Sequence, residues 1–123
     1  MATLNDRVFD NGLTVLDTEA NKIIITSQEA TTYTEANATY ALGDSTSLSI
    51  GAPADRAGGG REVTVAAITD GSVTATGTAT HYAIVDTANT RLLATSTLTA
   101  SQAVTSGNTF TLSSVAIGIP DPA

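Results

Sequence analysis

Apolar and polar side chains alternate along residues 73–94, which predicts two β-strands joined by a turn. Positions two apart on a strand share a face of the sheet. One predicted face carries Ala79, His81, Ala83 and Val85, and the other carries Thr80, Tyr82, Ile84 and Asp86. Neither face is strongly polar, so we expect a central strand that is covered on both sides. Residues 86–90 supply the turn, because Asp and Asn side chains bond their own backbone, and residues 91–95 return as the partner strand.

Other alternating or β-branched segments predict the remaining strands. These are residues 22–26, 48–50, 63–68, 73–75, 109–112 and 115–119. Asp70 and Gly71 lie between two of them, and an Asp-Gly pair in that position predicts a hairpin turn over residues 69–72. Residues 98–107 are predicted as a further turn region with room for one short strand. No segment shows the apolar stripe of a helix. The pattern therefore predicts an all-β fold, a single antiparallel β-sandwich or barrel-like domain of jelly-roll or immunoglobulin-like type.

The first twenty residues differ in pattern from the rest of the chain. Residues 1–20 are predicted to form an extended N-terminal arm or the first strand, and residues 21–123 to form the β-sandwich domain. Phe9, Leu13 and Leu16 are the candidate protein-interface residues, because an apolar arm can pack on its own domain or on a neighbouring protein. Both interpretations remain open from the sequence.

Composition limits the size and strength of the core. A chain of 123 residues is long enough for one domain with a real core. Hydrophobic residues make up 41% of it, but aromatic residues only 4%, with no Trp. The core must therefore be built from Val, Ile, Leu and Ala, and each side chain buries a modest area. We expect such a domain to gain stability from an oligomer or a larger assembly.

Charge and cysteine content argue against several classes of partner. The formal net charge is −7, with five basic residues, whereas nucleic-acid binding depends on clustered Lys and Arg. No nucleic-acid partner is therefore expected. The chain has no cysteine, so disulfides and thiolate metal sites are excluded. No stretch approaches the roughly 18 apolar residues of a membrane span, and the first residues lack the pattern of a secretory signal, so no membrane partner is expected.

Candidate catalytic chemistry is sparse. His81 is the single histidine, and no G-x-S-x-G accompanies it, so a packed structural role is the expectation. The glycine-rich residues 53–60 lead into a predicted strand rather than a helix, which argues against a phosphate loop. The carboxylates are spread thinly among turn formers, and a surface calcium site between loops stays open as an alternative. We expect no catalytic residues, no cofactor and no resident metal, and therefore no enzyme.

Five short segments of the chain together carry a resemblance to a known family. They are LTVL at 13–16, IGAP at 50–53, GTATHYAIVD at 77–86, RLLA at 91–94 and VTSGNTF at 104–110. In these segments the chain resembles small structural proteins of tailed bacteriophages, especially head decoration (cement) proteins. Tail-fibre and tail-tip modules share this pattern of β segments rich in small residues.

The resemblance implies a non-enzymatic role on the outside of the phage head. Such a protein binds the expanded capsid lattice and clamps neighbouring major capsid subunits, and a ligand specific for the mature lattice stabilises it by mass action. The resemblance also implies a homotrimer, made in the host cytoplasm and located on the capsid surface of the virion. The alternative is a tail-fibre or tail-tip β module that binds a receptor or a glycan.

Overall fold

The computed structural model describes residues 3–4, 12–55, 57 and 61–119. Their strands are β1 (Thr3–Leu4), β2 (Lys22–Thr26), β3 (Ala41–Ser45), β4 (Ala54–Asp55), β5 (Arg61–Val65), β6 (Ile68–Val73), β7 (Gly77–Asp86), β8 (Arg91–Val104), β9 (Thr109–Leu112) and β10 (Val115–Ile119). A short helix, α1 (Thr14–Glu19), precedes β2, and a π-helical turn (Glu35–Thr39) precedes β3. Neither of these helical segments is long and apolar enough to cross a membrane.

The strands form two antiparallel sheets. The larger sheet has the order β1-β8-β7-β2-β3-β6-β9, and the smaller has the order β10-β5-β4. The main core lies where Val63 and Val65 of the small sheet meet side chains such as Ile25, Ile84 and Leu93 of the large one. A second cluster, around Ile24, Ala83 and Val85, lies on the opposite face of the large sheet, beneath residues 30–40. The prediction of an all-β, sandwich-like or barrel-like fold is confirmed.

The hairpin of β7 and β8 has the predicted position and turn. β7 pairs with β8 on one side and with β2 on the other, and residues 82–86 are buried. Asp86 starts the turn: its Oδ1 accepts a hydrogen bond from the backbone N–H of Ala88 at 3.0 Å, and its Oδ2 accepts one from Asn89 Nδ2 at 2.8 Å. Thr90 ends the turn with a φ of 51°.

β8 is longer than predicted, and a large bulge interrupts it. His81 pairs with Thr97, but Ala79 pairs with Gln102, so residues 98–101 of β8 face the single residue Thr80 of β7. The interruption brings Ala79 into the main core with Tyr82 and Ile84, although simple alternation placed it on the other face. The prediction of a turn region with room for one short strand over residues 98–107 is wrong in one respect: residues 98–104 continue β8, because the ladder with β7 resumes after the bulge and no Gly or Pro ends the strand there.

The predicted hairpin turn at residues 69–72 is also wrong. Asp70 and Gly71 lie inside β6, and the chain crosses from the small sheet to the large one at residues 66–67. Gly71 pairs with Phe110 of β9, and the Phe110 ring occupies the space of a Cβ at position 71. Glycine is therefore required here by close packing against an aromatic ring and not by a turn.

The helix α1 was not predicted from the sequence. Its apolar residues Val15 and Leu16 are buried, together with Leu13 just before it, whereas Asp17 and Thr18 are exposed. Six residues are too few to display a helical stripe, so the pattern of this segment suits an arm or a strand equally well. Burial in the main core is what supports so short a helix.

Candidate functional site: a gap between two sheet edges

The large sheet curls until the second half of β8, beyond its pairing with β1, lies close to β9 at the other end of the sheet. Gln102 of β8 donates a hydrogen bond from Nε2 to the backbone carbonyl oxygen of Thr111 in β9, at 3.4 Å. Within the described residues, no backbone ladder joins these two strands. A side chain thus bridges the edges at one point, and the barrel is left incompletely closed beside it.

A cavity of about 190 Å³ lies at this place, and we call it the gap cavity. Its larger apolar lining residues are Ile23, Val65, Ile68, Tyr82, Leu98, Leu112 and Val115. The polar residues of its lining are Thr97, Thr99, Gln102 and Ser113. Among the described residues none that lines it is charged, so an uncharged group is the occupant that it suits.

The β8 bulge builds one wall of the gap cavity. Leu98 turns toward the main core and packs against it, while Thr99 and Ala100 are exposed at the rim. Bulges re-aim side chains at sheet edges, and this one places four residues where a regular ladder has room for one. The opposite wall comes from Leu112, Ser113 and Val115, at the connection between β9 and β10.

Tyr82 is the titratable residue of the gap cavity. It is 6% exposed, and its burial raises the pKa of the phenol above the ordinary 10.0, while a hydrogen bond with Ser96 acts in the opposite direction. The hydroxyl therefore remains protonated at neutral pH. Among the described residues that line the cavity, the hydroxyls of Thr97, Thr99 and Ser113 have no His, Asp, Glu or Lys beside them to act as a general base.

His81 lies outside the gap cavity, on the other face of β7. Its Nδ1 is 2.8 Å from Thr80 Oγ1, and the same hydroxyl donates to the carbonyl oxygen of Ser27 at 2.9 Å. Since a hydroxyl has one proton, satisfying both contacts requires that Nδ1–H donates to Thr80. The arrangement joins β7 to the segment after β2, and in the described part of the chain it includes no carboxylate.

Carboxylates with several hydrogen bonds serve local structure. Asp70 accepts from the hydroxyls of Ser47 and Ser45, which lower its pKa below the ordinary 3.8. Glu35 accepts from the backbone N–H and the hydroxyl of Thr31, and these contacts lower its pKa below 4.5. Among the described residues, no group of three or more His, Cys, Asp or Glu side chains is arranged to hold a metal ion.

A second recess, of about 260 Å³, lies where residues 31–33 face the start of β8. Tyr33, Arg91 and Leu92 line it, with the hydroxyl-bearing Thr31 and Thr90. Arg91 is already engaged, because its Nη1 lies 3.4 Å from Oε1 of Glu19. This recess therefore offers a ligand one aromatic ring and hydroxyl groups, whereas the Arg91 guanidinium is already paired with Glu19.

The sequence-predicted interface residues are not brought together at either recess. Leu13 is 4% exposed and Leu16 is 0% exposed, and both pack into the main core of their own chain. Their side chains do not offer a surface to a partner in this fold, which corrects the arm interpretation for these two residues. Phe9 lies outside the described residues.

The alternation pattern did not predict the residues around the gap cavity, although the sequence holds a signal for them. No charged residue occurs between Arg91 and Asp121. The folded chain uses this uncharged stretch for most of β8, all of β9 and all of β10. The uncharged residues and the gap between the edges therefore belong to one region of the molecule.

Among known proteins, neither a family model, nor a curated protein, nor a solved structure matches the chain.

Proposed function

We propose that the chain is a structural protein of a bacteriophage virion, a capsid decoration protein that binds the outer surface of the head and clamps neighbouring major capsid subunits. Its function is to bind other proteins and not to catalyse a reaction. It is made in the host cytoplasm before it joins the capsid. The resemblance of its segments to head decoration proteins supports the proposal, as does the all-β domain around a core of its own residues.

The observation that carries most weight is the charge distribution. The chain has a net charge of −7, yet residues 92–120 contain no charge. Many of these residues are exposed, including Thr99, Ala100, Ala103 and Ala116. Charged residues are depleted in the cores of protein interfaces, so an exposed uncharged region within an acidic chain favours contact with another protein.

The sheet edges in this region can also receive a partner. Val115–Ile119 of β10 is paired with β5 on one side and has no strand neighbour on the other among the described residues. Residues 98–104 of β8 likewise lack a described strand on the side opposite β7. Natural proteins commonly protect such edges with charge or proline, and these two segments contain neither.

We further propose that three copies act together. A homotrimer presents the same contact three times, and linked contacts raise the occupancy of a lattice well above that of a single weak contact. A thin core of small aliphatic residues suits a domain that works as one member of an array.

The test is a binding measurement on phage capsids that lack the protein. Capsids and purified protein are mixed, sedimented, and the bound copies counted against the major capsid protein. Saturation at a fixed ratio to that protein, with a higher capsid melting temperature, is the expected result. Binding of only a few copies per particle, or of none, would overturn the proposal.

The second recess favours one alternative, a tail-fibre or tail-tip module that binds a receptor or a glycan. Tyr33 supplies an aromatic ring and Thr31 and Thr90 supply hydroxyl groups at that recess. The two functions differ in copy number, because a fibre component is present in few copies per particle. Tyr33→Ala would abolish glycan binding under this alternative and leave capsid binding unchanged under the first proposal.

A further inference from the structure

The gap cavity has the size of one small apolar group. Its volume is about 190 Å³, and an engineered apolar cavity of about 150 Å³ in another protein stays dry and binds benzene. Ile68, Leu98 and Leu112 supply apolar surface, and Gln102 and Ser113 supply uncharged polar groups at the same site. A charged group would find no counter-ion in this lining and would lose its hydration on entry.

We propose that the gap cavity receives one uncharged apolar side chain from the protein to which this chain attaches, an inference that rests on the proposed function. The lining is continuous with the open edges, since Leu98 and Ala100 belong to β8 and Val115 belongs to β10. Side chains alternate along an extended segment, so a partner strand added to either edge presents every second side chain to one face. Main-chain pairing of that kind gives affinity, and a pocket for a side chain gives specificity.

The neutral lining selects the chemistry of the occupant. The charged residues of the chain, all at or before Arg91 or at Asp121 in sequence, are absent from the described lining of the cavity. Tyr82 adds no charge, because burial raises its pKa. An aromatic or branched aliphatic side chain therefore fits the cavity, whereas Lys, Arg, Asp or Glu does not.

The first experiment uses benzene as a probe of the free protein. Methyl groups of Ile23, Ile68 and Leu98 are followed by NMR while benzene is added, and saturable shifts confined to the cavity are expected. Ala100→Phe adds a ring at the rim of the cavity and is expected to abolish these shifts. Ala88→Phe is the matched control, because Ala88 is exposed in the turn before β8 and does not line the cavity.

Three benzene results overturn the proposal. The first is that benzene causes no saturable shifts in the wild type. The second is that both variants lose the shifts equally, and the third is that both variants keep them. If Ala100→Phe does not fold, Ser113→Leu takes its place, since Ser113 lies on the opposite wall.

The second experiment repeats capsid sedimentation with the same proteins. Loss of binding by Ala100→Phe, with binding retained by Ala88→Phe, is expected. Equal binding by the wild type and Ala100→Phe overturns the role of the cavity while leaving the capsid proposal intact. If the wild type does not bind capsids, the proposed function fails and this inference fails with it, even where benzene shows that the cavity accepts an apolar group.

Discussion

The ring of Phe110 lies over Gly71, its cross-strand neighbour, in the space that any side chain at position 71 would need. Phe110 is 3% exposed, and its ring also lies 3.2 Å from the position of a Cβ at Gly43, so it is enclosed on this side of the core. The contact joins β6 to β9 at the edge of the large sheet, close to the gap between the sheet edges. One glycine therefore determines how the last strand of that sheet packs.

Gly71→Ala is expected to destabilise the fold by about 1–3 kcal/mol, the usual cost of forcing an extra carbon into a packed site. Urea unfolding measures the change. Gly51→Ala is the matched control, because no atom lies within 4 Å of a Cβ at Gly51. Equal effects of the two substitutions would contradict the packing of Phe110 on Gly71.

Leu16→Ala tests whether α1 belongs to the core. Leu16 is fully buried, and truncating a buried leucine costs about 2–5 kcal/mol. Its neighbour Asp17 is exposed, so Asp17→Ala is expected to change the free energy of unfolding by less than about 0.5 kcal/mol. If Leu16→Ala were as mild as Asp17→Ala, the segment would be a loosely attached arm.

Asp70 makes a small, acid-sensitive contribution to stability. Hydrogen bonds from Ser47 and Ser45 lower its pKa in the folded chain below the ordinary 3.8. A group with a depressed pKa in the folded state contributes stability above its unfolded pKa, and loses it as pH falls through the folded value. The difference in unfolding free energy between wild type and Asp70→Asn should therefore be constant near neutral pH and shrink below about pH 3.8.

Removing one donor tests the cause of that shift. Ser47→Ala is expected to raise the pKa of Asp70 toward 3.8, because the Ser47 hydroxyl is the largest contributor. Carboxyl carbon NMR titration follows the group directly. An unchanged pKa in this variant would show that the serine hydroxyl does not stabilise the carboxylate.

A charge at the open edge of β10 is expected to weaken capsid binding without harming the fold. Ala116 is exposed in β10, and Ala88 is exposed in the turn between β7 and β8. Ala116→Lys places a charge in the uncharged region, where a partner must desolvate it, whereas Ala88→Lys does not. Sedimentation with capsids should show a loss for the first variant alone, at equal melting temperatures. Equal binding of both would remove β10 from the proposed interface.

Local pattern was sufficient for much of the fold. The hairpin of β7 and β8, its Asp86 turn, and the strands β2, β9 and β10 were predicted from alternation and turn chemistry. These elements depend on contacts near in sequence or on period-two burial, both of which leave a trace in the order of residues. The uncharged stretch after Arg91 is likewise visible in the sequence, and its location at the candidate site is not.

Tertiary structure decided the remainder, because the deciding contacts join residues far apart in the chain. Asp70 and Gly71 read locally as a turn, yet Phe110, some forty positions later, makes Gly71 part of a strand. Thr97 pairs with His81 and Gln102 pairs with Ala79, so the four residues between them must bulge out of the ladder. The bulge therefore follows from the register of β8 on β7, and the composition of the segment does not reveal it. Leu13 and Leu16 are equally apolar in an arm and in a core, and only the packed sheets show that they are core. The sequence by itself determined that the segments of β2, β7, β9 and β10 extend, and where charge is missing along the chain. The curl of the sheet determined that β8 and β9 meet at Gln102 and Thr111 and leave a cavity beside that contact, because a sheet edge has no neighbour until the whole sheet has formed.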